Sequence, residues 1–119
     1  ASGTTAIHYT VLNICRKGDE IVSSSNLYGG TYTMFDAILP DQGITTRFAD
    51  FTNPDDIRAK ITPNTRMLFT EVIGNPSLDV VNLRAVAKVA EEFHLPSSHC
   101  LTSLILPTTV CVMHMISGR

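Results

Sequence analysis

Residues 18–30 read GDEIVSSSNLYGG, and the order of chemistry within them decides the fold. Gly18-Asp19 is strong turn chemistry, and Ile21-Val22 after it marks a short buried strand over residues 20–24. The serines, Asn26, and Tyr28 beside Gly29-Gly30 then form a loop. Tyr32, Phe35, Ile38 and Leu39 follow at helical spacing, with Pro40 expected to close that helix. A strand that leads through a loop into a helix is the first half of a βαβ crossover.

The pattern continues in both directions. Upstream, Ile7, Val11, Leu12 and Ile14 keep the helical period, which predicts a helix over residues 3–15 with Ser2 and Gly3 in capping positions. Downstream, GITTRFAD (43–50) is a second strand, Thr52 or Asn53 with Pro54 opens a short helix through DDIRAKI, and TRMLFTEV (65–72) is a third strand. NLRAVAKVAEEF (82–93) is the clearest helix: Leu83, Val86, Ala87 and Ala90 share one face, and Arg84, Lys88, Glu91 and Glu92 the other. Alternation at this spacing implies right-handed crossovers and an α/β fold with a mainly parallel sheet and helices on both faces. Such sheets gather ligands at the carboxyl ends of their strands, so the loops of interest are 23–30, 47–54 and 70–76.

A chain of 119 residues suits one domain or part of one. Its start at Ala1, directly in helix-like sequence, suggests a piece of something larger. The net charge of -2 and the scattered Lys and Arg lack the basic stripe that phosphate-backbone binding requires, so nucleic acid is not an expected partner. No apolar run approaches the ~18–20 residues that cross a bilayer, and no secretory signal opens the chain, so no membrane association is expected. Cys15, Cys100 and Cys111 are an odd set without C-x-x-C spacing, which suits a reducing, cytoplasmic setting. No G-x-G-x-x-G or Walker sequence follows a strand, which counts against a nucleotide module. From Ser97 the composition shifts: residues 97–119 hold no Asp, Glu or Lys and one Arg, at the end, and no architecture is assigned to them. His99, Cys100, Cys111 and His114 fit no common zinc spacing, so no metal is expected.

Three short stretches carry candidate chemistry. Ser2-Gly3-Thr4 at a helix start offers unpaired backbone N–H groups and a side-chain-free approach for an anion, although the same residues also suit an ordinary cap. Tyr28 offers a ring for stacking on a planar heterocycle, and equally suits a half-buried core position. Asn75-Pro76 is a rigid turn that would aim an amide donor toward a phenolate oxygen, with Glu71 orienting neighbouring donors.

Taken in order, Ser2-Gly3-Thr4-Thr5-Ala6-Ile7, Gly18-Asp19-Glu20-Ile21-Val22, Leu27-Tyr28-Gly29-Gly30-Thr31-Tyr32 and Glu71-Val72-Ile73-Gly74-Asn75-Pro76 resemble the Cys/Met metabolism (cystathionine synthase and lyase) family of pyridoxal-phosphate enzymes. LYGGTY and E-x-I-G-N-P are closest to its O-acetylhomoserine sulfhydrylases. The resemblance covers residues 1–96, implying a partial cofactor-binding large domain of the aspartate-aminotransferase-like (type I) fold, with 97–119 an atypical tail, out of frame or divergent. It further implies pyridoxal 5'-phosphate held by the backbone of Gly3 and Thr4, stacked on Tyr28 and approached by Asn75, with Ser2 and Glu71 in support. Family members usually carry Met at the place of Thr4, an exchange that a main-chain contact tolerates.

The implied activity is γ-replacement on a small-molecule amino-acid substrate in sulfur amino-acid metabolism, by a homo-oligomer. A methionine γ-lyase or cystathionine γ-synthase/lyase relative is the alternative, as is a non-catalytic interaction fragment without cofactor. Ser97-Ser98-His99-Cys100 stands where the family places a strand ending in Asp-Asn-Thr, whose Asp faces the pyridine nitrogen. The family's Schiff-base lysine is absent as well: Lys17 lies in a turn, and Lys60 and Lys88 belong to polar helix faces. The Tyr-x-Arg pair that grips the phosphate from a neighbouring subunit would precede Ala1. No catalytic residue is therefore assigned within the chain, which is expected to be inactive alone.

Overall fold

The computed structural model describes residues 3–27, 29–71, 81–95, 97–102 and 109–114; for residues 3, 4, 97–102 and 109–114 the description is of the main chain alone. Helix α1 (Gly3–Ile14) leads into β1 (Glu20–Ser24). A continuous helical segment follows: α2 (Gly29–Thr33), a π-helical turn (Met34–Ile38) and α3 (Leu39–Asp41). Then come β2 (Thr45–Ala49), α4 (Pro54–Lys60), β3 (Thr65–Glu71), α5 (Leu83–Glu92), β4 (Ser97–Thr102) and β5 (Thr109–His114). The strands form one sheet in the order β2-β1-β3-β4-β5, parallel at every junction except β4–β5.

Alternation along the two central strands divides the core. Ile21 of β1 and Met67 and Phe69 of β3 join Ile7, Val11, Leu27, Phe35 and Leu39 beneath α1 and the α2–α3 segment. Val22 and Leu68 face the other way, against Ile57 of α4 and Val86, Val89 and Ala90 of α5. Helices cover both faces, as the strand–helix alternation predicted. Phe35 and Phe69 meet edge to face with ring centroids 5.0 Å apart, which fixes the α2–α3 segment over β3.

The chain's turns follow from specific residues. Gly18, at φ +94°, closes the turn into β1, with the Asp19 N–H donating to the Arg16 carbonyl at 2.9 Å. Asn53 caps α4 by accepting from the Asp55 N–H at 3.1 Å, with Pro54 in the first turn, and Asn82 caps α5 by accepting from the Ala85 N–H at 3.2 Å.

Pro40 does not close the second helix, contrary to the sequence expectation. The Leu39 N–H bonds the Met34 carbonyl, and this widened turn leaves Pro40 at the start of a fresh helical turn, where a missing N–H costs little. The stop falls at Gly43 instead, at φ +80°, where Ile44 N–H to Leu39 carbonyl and Gly43 N–H to Pro40 carbonyl, both 3.0 Å, form a Schellman cap. The buried stripe of α5 also differs: Val89 is fully buried and Ala87 only half-buried, because the sheet is met by the 86–89–90 row. The stretch from 97, left without an architecture by its composition, supplies β4 and β5; Ser97 to Cys100 pair in register with Leu68 to Glu71.

Helix α5 ends in the same kind of cap with His94 in the left-handed position (φ 54°), where Leu95 N–H donates to Ala90 carbonyl at 2.8 Å and His94 N–H to Glu91 carbonyl at 3.2 Å. A side chain in that conformation is strained. His94→Gly is expected to stabilise the chain by about 0.5–1 kcal/mol and Phe69→Ala to destabilise it by about 3–5 kcal/mol, both read from urea unfolding midpoints at constant m-value.

Candidate cofactor site

The strand order carries the chain from β1 outward to β2 and then back across β1 to β3, so the carboxyl ends of β1 and β3 flank the point where the winding reverses. Helix α1 precedes β1 and packs its Ile7 and Val11 over the same apolar cluster as Ile21. The connection 15–19 is short, its Gly18 N–H tied to the Gly43 carbonyl at 2.8 Å, so α1 must run back antiparallel to β1. Its 12 residues span about 18 Å and the strand's five about 17 Å, which brings the Gly3 end of α1 to the carboxyl edge.

Helix α1 begins at Gly3, so the N–H groups of Gly3 and Thr4 belong to the first turn, which has no intrahelical acceptor. With the positive end of the helix dipole, these suit an anion. Glu71 ends β3 with only 2% of its surface exposed. By alternation with Met67 and Phe69 it lies on the α1 side of the sheet, while Thr70, on the other, donates its hydroxyl to the Glu71 carbonyl at 3.0 Å. The structure thus brings the main chain of Gly3 and Thr4 to the edge where Glu71 is buried. Ser2, Tyr28 and Asn75 lie outside the described residues; next to Tyr28, Leu27 is buried in the α1-side core and α2 starts at Gly29.

A feature absent from the sequence reading is a small pocket of about 30 Å³ at the carboxyl ends of β1 and β2, lined in part by Ser24, Ser25, Asn26, Asp50 and Thr52. It has room for about one water molecule. Asp50 is committed there: its carboxylate accepts from the Thr52 hydroxyl and N–H, which holds its pKa below the usual carboxylate range. The pairing of β2 beside β1, with Val81 brought in from the start of the α5 segment, makes this pocket, so no local sequence signal announces it. A wider groove of about 630 Å³, lined by Ile14, Ile61, Phe93 and Leu95 among others, opens at the opposite, amino edge, away from Gly3 and Glu71.

The lysines do not approach the carboxyl edge by their surroundings. Lys17 stands in the amino-edge turn beside Gly43, Lys60 ends α4, and Lys88 is exposed on α5. Among the described residues no group of three or more His, Cys, Asp and Glu is placed to hold a metal ion, and no helix is long and apolar enough to cross a membrane. The candidate tail ligands are spread along two strands: Cys100 pairs with Cys111, but His114 pairs with Ser97.

The class defined by these elements is a doubly wound α/β sheet, with a helix N-terminus and a buried carboxylate at its switch point, the edge at which such sheets take ligands. The sequence model of the Cys/Met metabolism PLP-dependent enzymes matches residues 1–101, and the chain belongs to that family. The O-acetyl-L-homoserine sulfhydrylase of Leptospira meyeri is 43% identical over 96 residues, 81% of this chain and 22% of its own length. That of Corynebacterium glutamicum is 37% identical over 119 residues, 98% of this chain and 25% of its own. The solved O-acetylhomoserine (thiol)-lyase of Campylobacter jejuni, with N'-pyridoxyl-lysine-5'-monophosphate, superposes with a TM-score of 0.83 at 29% identity, over 86% of this chain and 25% of that one. The chain therefore spans about a quarter of the length of the relatives it matches.

Cys15 directly follows α1, buried in the α1-side core at the end of the helix away from Gly3. Burial, reinforced by the nearby Asp19 carboxylate, pushes its thiol up to about 11. The folded chain holds this proton more tightly than the unfolded chain, so the stability it contributes is intact below about pH 9 and declines as pH rises toward about 11. Peptide mass spectrometry after maleimide treatment at pH 8 should find Cys15 unlabelled in the folded chain and labelled in urea.

Proposed function

We propose that this chain is the cofactor-binding part of an O-acetylhomoserine sulfhydrylase-like transferase that replaces the γ-substituent of a small amino acid with sulfur. The observation that carries this reading is the arrival of α1's first turn and buried Glu71 at one sheet edge, in a chain 43% identical to a sulfhydrylase over 96 residues. The donor set fits pyridoxal phosphate: main-chain N–H groups at a helix start for the phosphate, and a buried carboxylate at the same edge for a cationic group. When bound, that cofactor supplies an electron sink for the substrate's α-carbon. In this reading the Gly3 and Thr4 N–H groups, with Ser2 at the cap, hold the phosphate, Tyr28 covers the ring, and Asn75 donates to the phenolic oxygen. Residues 1–96 carry the seat, and 97–119 depart from the family's wording where its Asp-Asn-Thr would stand. Sequencing the coding DNA around residue 97 in all three frames distinguishes a frame change from divergence.

None of Lys17, Lys60 and Lys88 is placed at the carboxyl edge, so the chain has no lysine there to carry the cofactor or take a substrate proton. This favours, as second reading, a part that works only within a cytoplasmic homo-oligomer of larger polypeptides. A methionine γ-lyase or cystathionine γ-synthase/lyase relative shares the same seat and differs in the substituent that leaves and the nucleophile that adds.

Titration of the chain with pyridoxal phosphate, followed by near-visible absorbance and tyrosine fluorescence, should show saturable binding. Gly3→Val should weaken it at least about tenfold by crowding the phosphate approach, and Tyr28→Ala about three- to tenfold through lost stacking. No saturable binding at millimolar cofactor would leave the interaction reading.

A further inference from the structure

We infer that Glu71 is the group in this chain that faces the ring nitrogen of the bound cofactor, an assignment that rests on the cofactor reading above. A pyridine ring acts as a strong electron sink only while its nitrogen is protonated, and a carboxylate partner maintains that state. The stretch 97–100, Ser-Ser-His-Cys, has no carboxylate. It forms the first part of β4, which runs parallel to β3 with Cys100 paired in register with Glu71. The adjacent strand thus brings a carboxylate to the same level of the sheet, at the carboxyl edge and on the α1 side.

The physical setting favours the role. Among the buried polar and charged residues described, Glu71 is the one with an ionisable carboxylate; the others are Ser23, Ser24, Thr31, Thr65 and Thr70. Burying a carboxylate is costly unless it is hydrogen-bonded or meets a cation, and a pyridinium in the same low-dielectric edge is such a cation. Glu71 already has a partner within the chain. A carboxylate has about four acceptor sites on its two oxygens, so such a group can serve more than one donor at a time.

The test is a binding cycle on the full chain with pyridoxal phosphate and its 1-deaza analogue, in which C–H replaces the ring nitrogen. The wild-type chain should prefer the natural cofactor at least about tenfold, and Glu71→Gln should bring that ratio close to one while binding of the deaza analogue stays within about threefold. In parallel, cofactor labelled with ¹⁵N in the ring should give a protonated-nitrogen resonance at pH 8 on the wild-type chain and an unprotonated one on Glu71→Gln. Should Glu71→Gln fail to fold by circular dichroism, Glu71→Asp is read instead, with a lowered preference expected from its shorter arm. An unchanged preference in the variant, or equal affinity of the wild-type chain for both cofactors, overturns the assignment. Absence of binding by either cofactor overturns the underlying cofactor reading, and the assignment with it.

Discussion

Burial of β1 and β3 on both faces is the constraint on which the rest of the molecule depends. Ile21, Val22, Met67, Leu68 and Phe69 are 0–1% exposed, and successive residues feed opposite cores. A strand covered on both sides needs helices above and below it, and parallel neighbours need crossovers long enough to hold them. That requirement sends one helical layer, α1 and the α2–α3 segment, to one face and α4 with α5 to the other. It also sets the order β2-β1-β3-β4, whose reversal beside β1 creates the edge where a ligand can enter.

The charged contacts play a different part. Arg58 of α4 grips Glu92 of α5 at 2.8 and 2.9 Å and also reaches Asp55, which lowers the Glu92 pKa and raises that of Arg58. Arg47 meets Glu20 at 3.1 Å, Thr62 donates its hydroxyl to the other Glu20 oxygen, and Arg66 approaches Asp19 at 3.4 Å. These contacts lie on outer helix faces or near the amino edge, in water's reach, where ion pairs register neighbouring elements more than they stabilise them. Glu71 is the contrast: a carboxylate withdrawn from water at the opposite edge, where burial makes each of its polar contacts count for more than those at the surface.

The sequence by itself determined the alternation of elements, because periodicity and capping are local. The hydrophobic run at Ile21-Val22, the Asn53-Pro54 start, the Gly18 turn and the stripe on residues 83–92 each state a conformation within a few residues. The ordered wording around Gly3, Tyr28 and Glu71 was legible for the same reason, since each segment keeps its own spacing. Tertiary structure alone decided how Pro40 is accommodated, because the π-helical turn answers to Phe35 packing on Phe69, a contact made across the chain. It alone decided that residues 97–102 extend the sheet, because a strand beside a fully buried neighbour gains its hydrogen bonds from that neighbour and needs little of its own alternation. The company Glu71 keeps was also beyond the sequence: whether a carboxylate faces water or a core depends on which helix crosses above it, and that is set by strand order, which no local pattern encodes.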